Sequence, residues 1–329
     1  MTRFVLKRLA GAALVLLALS VLVYALFYLA PGDPARLACG DRCSPRQVAQ
    51  VREQLGLNQS VFAQYGQFLQ GVLVGRDYST GTSVLHCDAP CLGLSYQTDQ
   101  QVTRLILERL PATASLALGA MVIWLVVGVG TGLLSALRRG GLTERTLTVL
   151  TLAGTGTPVF ILGLLLLMAV CAYLQWLPFP TYVPLGEDPE QWAWNMLLPW
   201  ITLGFFESAK YARLTRSSTL ETLAEDHIRT FRAYGVGERT VVGRHALRGA
   251  VPPVIALSAV DLGSMFGGAV LTESLFGIPG LGKTLIDGVR EIDLPVVVGV
   301  VMVIGTAVVL ANVIADLLYA AADRRVVLT

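Results

Sequence analysis

Four groups of residues in this chain have types and spacings that could do chemistry. The run Gly277-Ile278-Pro279-Gly280-Leu281-Gly282-Lys283-Thr284 fits G-x-x-x-x-G-K-[ST], the loop whose backbone N–H groups cradle nucleotide phosphates. Two C-x3-C pairs, Cys39 with Cys43 and Cys87 with Cys91, offer thiols, and His86 stands beside the second pair. The carboxylates of Glu207, Asp261, Glu273 and Asp316 fall in or near the ends of apolar runs, where ionisable groups are costly and mark functional sites. The stretch from Thr219 to Tyr234 spaces Leu220, Leu223, Ile228, Phe231 and Tyr234 as one apolar stripe among Glu221, Glu225, Asp226, Arg229 and Arg232.

The elements that must position these groups are transmembrane helices. Of the 329 residues, 54% are hydrophobic and 15% charged, and the mean hydropathy is +0.62. Soluble domains carry about 25% charged residues, so the deficit points to a bilayer as solvent. A net charge of +2 gives no basic field for nucleic acid. A helix needs about 20 apolar residues to cross the hydrocarbon. Six runs qualify: about Leu9 to Leu29, Ala112 to Leu137, Leu147 to Leu174, Trp194 to Ala212, Val251 to Leu271 and Leu294 to Ala322. Lipid offers backbone groups no partners, so the expected class is all-α and polytopic. The first run is longer than a signal-peptide core and lacks a clear cleavage site, so it is read as an anchor.

Six spans put both termini on one side. That side collects sixteen of the 25 basic residues: Arg3, Lys7 and Arg8, then Arg138, Arg139 and Arg145, the run from Lys210 through Arg248, and Arg324 with Arg325. Cationic loops stay in the cytoplasm, so both termini are expected there, in a multi-pass protein of the cell membrane. The domain reading is 1–29 for the N-terminus and first span, 30–111 for a large extracytoplasmic loop region, and 112–329 for a five-span core with a cytoplasmic loop at 213–248.

This topology reinterprets the motifs. The Gly277–Thr284 run follows an apolar span and lies outside the cell, with no α/β domain to seat it, so nucleotide binding is excluded. Both cysteine pairs fall outside the cytoplasm, where disulfides persist. Pairing within each motif closes two small loops and cross-pairing closes a larger one; the sequence leaves both open. The spacing is not that of a zinc site, and no metal is expected.

Glu207 and Lys210 are three residues apart, as in a helical ion pair. Asp261 is either on a wet pathway or in an internal hydrogen bond. Thr155 and Thr157 sit in Gly154–Pro158, a kink that either lines a path or serves packing. Gly128-x3-Gly132 and Gly263-x3-Gly267 allow close helix approach. The inner amphipathic segment, stopped by Gly235 and Gly237, either lies on the membrane or docks a cytoplasmic partner.

The stretch Ala212 to Ile255 resembles the cytoplasmic loop of dipeptide and oligopeptide ABC-transporter permeases. So do Leu29 to Ala35, Leu55 to Gly71, Glu108 to Leu118, Gly267 to Met302 and the tail from Asn312 to Arg324, where Arg325 replaces an expected proline. The pattern is similar to the first of the two paired permeases, with the long loop after its first helix; the insert carrying His86 to Cys91 departs from it. The resemblance implies a type I ABC importer permease fold. It implies a coupling helix that grips an ATPase, carried by Glu225, Asp226, Arg229, Thr230, Phe231, Arg232, Tyr234 and Gly235. The family's glycine matches Gly235 and its later proline Pro253, while its glutamate-alanine-alanine positions read Arg229, Thr230 and Phe231.

The implied partners are a second homologous permease, one or two ATP-binding cassette subunits, an extracytoplasmic peptide-binding protein and membrane lipid. ATP and Mg belong to the partner subunits, and the chain itself is no enzyme. Pathway candidates are Thr155, Thr157, Glu207, Asp261 and Glu273. The alternatives are an ion-coupled secondary transporter, or the same permease role for nickel or another small solute.

Overall fold

The computed structural model describes residues 2–29, 35–36, 44–54, 58–79, 84–138 and 140–322. Cys39, Cys43, Arg139, Arg324 and Arg325 lie outside the described residues, as does the side chain of Thr155. The chain forms two compact units, Met1–Thr113 with Pro279–Ala307, and Ala114–Ile278 with Val308–Thr329.

The first unit opens with α1 (Thr2–Leu29), α2 (Pro45–Gln54) and α3 (Val61–Val74). Ser60 caps α3 by accepting the Ala63 N–H on its hydroxyl. A hairpin follows, β1 (Arg76–Ser79) antiparallel to β2 (Val84–Cys87), with Asp77 opposite His86. It is a small extended element in a chain that is otherwise mostly helical: Gly75, at φ 90°, ends α3 and turns the chain into an extended pair. Two apolar clusters hold this unit. Val23 of α1 packs with Leu294 and Val298, while Leu92, Val102 and Ile106 pack with Leu281, Val296 and Val300. Asp293, 2% exposed, ties the 95–97 segment down. It accepts from Ser95 Oγ at 2.5 Å, Tyr96 N at 3.2 Å and Gln97 N at 3.4 Å.

α4 (Val102–Leu137) starts in the first unit and continues into the second. It begins ten residues before the expected span, with Pro111 inside it. The expected third span is instead two helices, α5 (Leu142–Gly156) and α6 (Val159–Leu166), the latter running into a π-helical segment Leu167–Tyr173. Thr157 at φ −100°, ψ 123° separates them, because Pro158 drives the residue before it out of the helical region. α7 (Pro189–Ala224) is capped by Asp188, whose carboxylate accepts the Glu190 and Gln191 N–H groups, each at 3.0 Å. It runs twelve residues past the expected fourth span.

The single amphipathic helix expected from Thr219 to Tyr234 is broken. Glu225 at ψ 149° ends α7 and begins α8 (Asp226–Ala233). Thr219 and Thr222 consequently lie buried in α7 rather than on the inner amphipathic surface. Beyond Gly235, α9 (Glu238–Thr240), a π-helical stretch Val241–Ala246 and α10 (Leu247–Gly268) run on as one, followed by α11 (Val270–Phe276). The Gly277–Thr284 run follows α11, not a strand: Gly277 caps that helix at φ 66°, and Leu281 opens α12 (Leu281–Arg290). α13 (Leu294–Ala322) closes the chain.

Among the described residues, three helical stretches are long and apolar enough to cross a membrane: Val102–Leu137, Glu238–Gly267 and Leu294–Leu318. Ala10–Ala25 and Val159–Tyr173 are shorter apolar helices.

Small residues let α4 and α7 meet. A Cβ on Gly132 would lie 2.5 Å from the Ala212 carbonyl and 2.8 Å from Thr215 Cβ; one on Gly128 would lie 2.6 Å from Tyr211 Cβ. Gly132→Leu must therefore force the two helices apart, at a cost of about 1–3 kcal/mol. Gly130→Leu, with nothing within 4 Å of its Cβ, should stay within about 0.5 kcal/mol of the parent. Thermal unfolding of the two purified variants checks this; equal midpoints would refute the close contact.

Candidate functional site

The second unit gathers three charged residues of the apolar runs into one cluster. Lys210 Nζ lies 2.9 Å from Glu207 Oε2 on its own helix and 2.6 Å from Asp261 Oδ2 on α10. Tyr211, the next residue of α7, donates its hydroxyl to the same Asp261 oxygen at 2.6 Å. Both carboxylate side chains are only 12% exposed. Tyr211 is fully buried and stacks on buried Trp124 of α4, ring centroids 5.9 Å apart. Two carboxylates against one ammonium leave one negative charge in excess. The cluster binds α7 to α10 and presents charge, but holds no nucleophile–base pair for covalent chemistry.

Sequence reasoning named Glu207 and Asp261 and missed Tyr211. Its one signal was adjacency to Lys210, because its partner Asp261 is 50 residues away. Glu273 is fully buried in α11 on a separate helix, and Thr157 stands half-buried at the joint between α5 and α6. The structure thus brings Glu207 and Asp261 together through Lys210 and leaves Glu273 and Thr157 elsewhere.

α8 carries the residues singled out on the inner loop. Ile228 is fully buried, and Phe231 stacks on His245 with ring centroids 4.1 Å apart. These anchors seat the helix on the π-helical stretch that follows it. Asp226, Arg229, Thr230 and Arg232 face outward, and Tyr234 is 80% exposed. The C-terminus closes as a Schellman motif: Val236 N–H reaches Phe231 O at 3.1 Å and Gly235 N–H reaches Arg232 O at 3.0 Å, with Gly235 at φ 77°. Arg232 spans the turn to Glu238 at 2.6 Å, which holds the Glu238 carboxyl below its usual range and the guanidinium above its own. Glu225 supplies the joint and pairs with His227 at 3.0 Å. α8 thus presents exposed charge and one exposed aromatic ring, with no nucleophile–base pair among them.

In the first unit Cys87 is bonded to Cys91. Among the described residues no group of three metal-ligating side chains forms. His86 instead places Nδ1 against Asp77 across the hairpin and Nε2 3.2 Å from Asp88. Both contacts favour the imidazolium, so its pKa lies above the ordinary value, with Asp77 the larger cause. A raised pKa means this contribution is present below about pH 6.5 and fades as pH rises through the folded value. Titrating the His86 ring protons by NMR should show a midpoint above that of an unperturbed histidine side chain. Asp77→Asn should lower it more than Asp88→Asn; the reverse order would refute the assignment. Near the hairpin lies a cavity of about 330 Å³, walled by Tyr24, Phe68, Tyr78 and Tyr96 with Arg76 and Asp99 among its polar groups.

Two family descriptions cover the chain. The N-terminal part of the binding-protein-dependent transport system membrane component matches residues 1–117, and the binding-protein-dependent transport system inner membrane component matches residues 128–328. A Brucella abortus protein named as a peptide transport system permease is 38% identical over 326 residues, 99% of each chain. The dipeptide transport system permease protein DppB of Escherichia coli (strain K12) is 34% identical over 350 residues, again 99% of each. In fold, the chain is similar to a solved inward-facing structure of the MetNI methionine ABC transporter. The TM-score is 0.55 at 18% identity, over 68% of this chain and 98% of that one.

Proposed function

Because the chain belongs to the family of binding-protein-dependent transport system inner membrane components, we propose that it is the permease subunit of an ATP-driven importer of dipeptides or short oligopeptides. The observation that carries this reading is similarity along 99% of the chain to permeases named for peptide and dipeptide transport in two organisms. In this reading six helices span the inner membrane, both termini face the cytoplasm, and residues 30–111 form the outer region. A second, homologous permease completes the pathway. One or two ATP-binding cassette subunits bind ATP and Mg, and an extracytoplasmic binding protein delivers the peptide. The chain performs no covalent chemistry.

α8 is the surface the ATPase grips. It suits that role because Ile228 and Phe231 anchor it while Arg229, Arg232 and Tyr234 stay exposed. The Glu207–Lys210–Asp261 cluster holds α7 against α10 and is the charged lining that a pathway through this unit would meet. Thr155, Thr157 and Glu273 remain pathway candidates.

Reconstitution tests the proposal. Co-expressed with its neighbouring transport genes, the chain should purify with ATPase subunits and take up a labelled dipeptide only when ATP is supplied. Purification without an ATPase, together with uptake that persists after ATP removal, would sink the idea. Uptake abolished by a protonophore while ATP stays high would favour an ion-coupled transporter instead.

A further inference from the structure

α4, α5 and α7 enclose a polar recess of about 440 Å³, lined among others by Thr131, Ser135, Glu144, Thr148, Arg213 and Arg216. Arg216 Nη2 pairs with Glu144 Oε1, and the Gly140 N–H donates to Glu144 Oε2 at 2.5 Å, so both carboxylate oxygens are engaged. Arg216 Nε remains buried without an acceptor. Arg213 makes no ion pair among the described residues. Thr131 and Thr148 donate their hydroxyls to the Val127 and Glu144 carbonyls. The donors left for a ligand are therefore guanidinium N–H groups and the Ser135 hydroxyl, and the two arginines outweigh the one carboxylate by a single positive charge. A buried N–H left unmade is costly, which favours an anionic acceptor in the recess.

We propose that this recess binds the phosphate of an anionic phospholipid headgroup. Guanidinium forks match phosphate oxygens, and basic pockets between membrane helices at the interface hold such headgroups. The α4 residues that line the recess, Thr131 and Ser135, stand on the last two turns of that helix, just before Arg138, where a headgroup would be met. Leu134 and Leu137 of α4, and Leu142 and Val149 of α5, are exposed. They offer acyl chains an apolar surface, which a free phosphate ion would not use.

The test uses the full chain in a neutral detergent, following thermal unfolding by tryptophan fluorescence. Dioctanoyl phosphatidylglycerol should raise the midpoint saturably. Dioctanoyl phosphatidylcholine should need roughly tenfold more, and inorganic phosphate at the same concentrations should give no shift. Arg213→Gln should weaken the phosphatidylglycerol response about tenfold while leaving the lipid-free midpoint unchanged. Arg216→Lys keeps a cation for Glu144 but loses the fork, and should weaken the response similarly. Equal responses to the two lipids, or an Arg213→Gln response like the parent's, would overturn the site. A phosphate response matching phosphatidylglycerol would overturn the lipid as its source.

Discussion

Lys210→Met is expected to destabilise the second unit strongly. It leaves Glu207 and Asp261, each 12% exposed, facing one another's charge without the ammonium that now lies 2.9 and 2.6 Å from them. Removing one partner of a fully buried pair costs roughly 3–5 kcal/mol. Lys210 is 40% exposed, so solvent screens part of that and the expected loss lies at or below the lower end. Neutralising the survivors should restore much of it: Lys210→Met with Glu207→Gln and Asp261→Asn should unfold at a higher temperature than Lys210→Met alone. The amide introduced by Asp261→Asn keeps an oxygen acceptor for Tyr211, so that buried hydroxyl stays satisfied in the triple variant. If Lys210→Met unfolds with the parent, or the triple variant is no better, the cluster does not hold α7 to α10.

Gly235→Val should uncouple ATP from uptake. Gly235 sits at φ 77°, and no atom lies within 4 Å of where its Cβ would be, so the penalty is backbone strain alone. That strain is about 1–2 kcal/mol for an ordinary L-residue, with β-branching adding to it. The Schellman closure of α8 would open, releasing the turn that leads to Glu238. Gly235→Asn tolerates the left-handed region and should keep uptake near the parental rate. Assayed by ATP-driven dipeptide uptake and by ATPase retention on purification, the two variants should separate clearly. Equal loss in both would mean that the glycine serves contact rather than conformation.

What the sequence could disclose followed the range of the interactions. The last apolar run is helical from its expected start at Leu294 through Ala322, because hydropathy alone marks it out. Pro158 announced the break before α6, although the sequence reading carried its span straight through it. The break at Glu225 carried no comparable signal: neither glycine nor proline is there, and only the backbone angles reveal it. The hairpin between Arg76 and Cys87 was missed because its strands are four residues each, too short for alternation to stand out. Long-range polar pairs were the least legible. Glu207 and Lys210 are one helical turn apart and could be paired on paper. Their meeting with Asp261, and Asp293 with Ser95 198 positions away, needed the fold. Among relatives, the names and the full-length match say what kind of protein this is; they do not say which side chains hold it.

The length of α7 has a mechanical consequence. Its 36 residues make a rod of roughly 54 Å at 1.5 Å per residue, well beyond the ~30 Å of a hydrocarbon layer. Lys210 is carried on that rod, and Glu225 is the one-residue break at its end, beyond which α8 begins. Tilting a rod of this length by about 5° sweeps one end roughly 5 Å past the other. A pull on α8 therefore needs no chain of side-chain rearrangements to be felt at the charged cluster. In the proposed reading the continuous helical backbone between them would carry the pull, which would enter it at the Glu225 break.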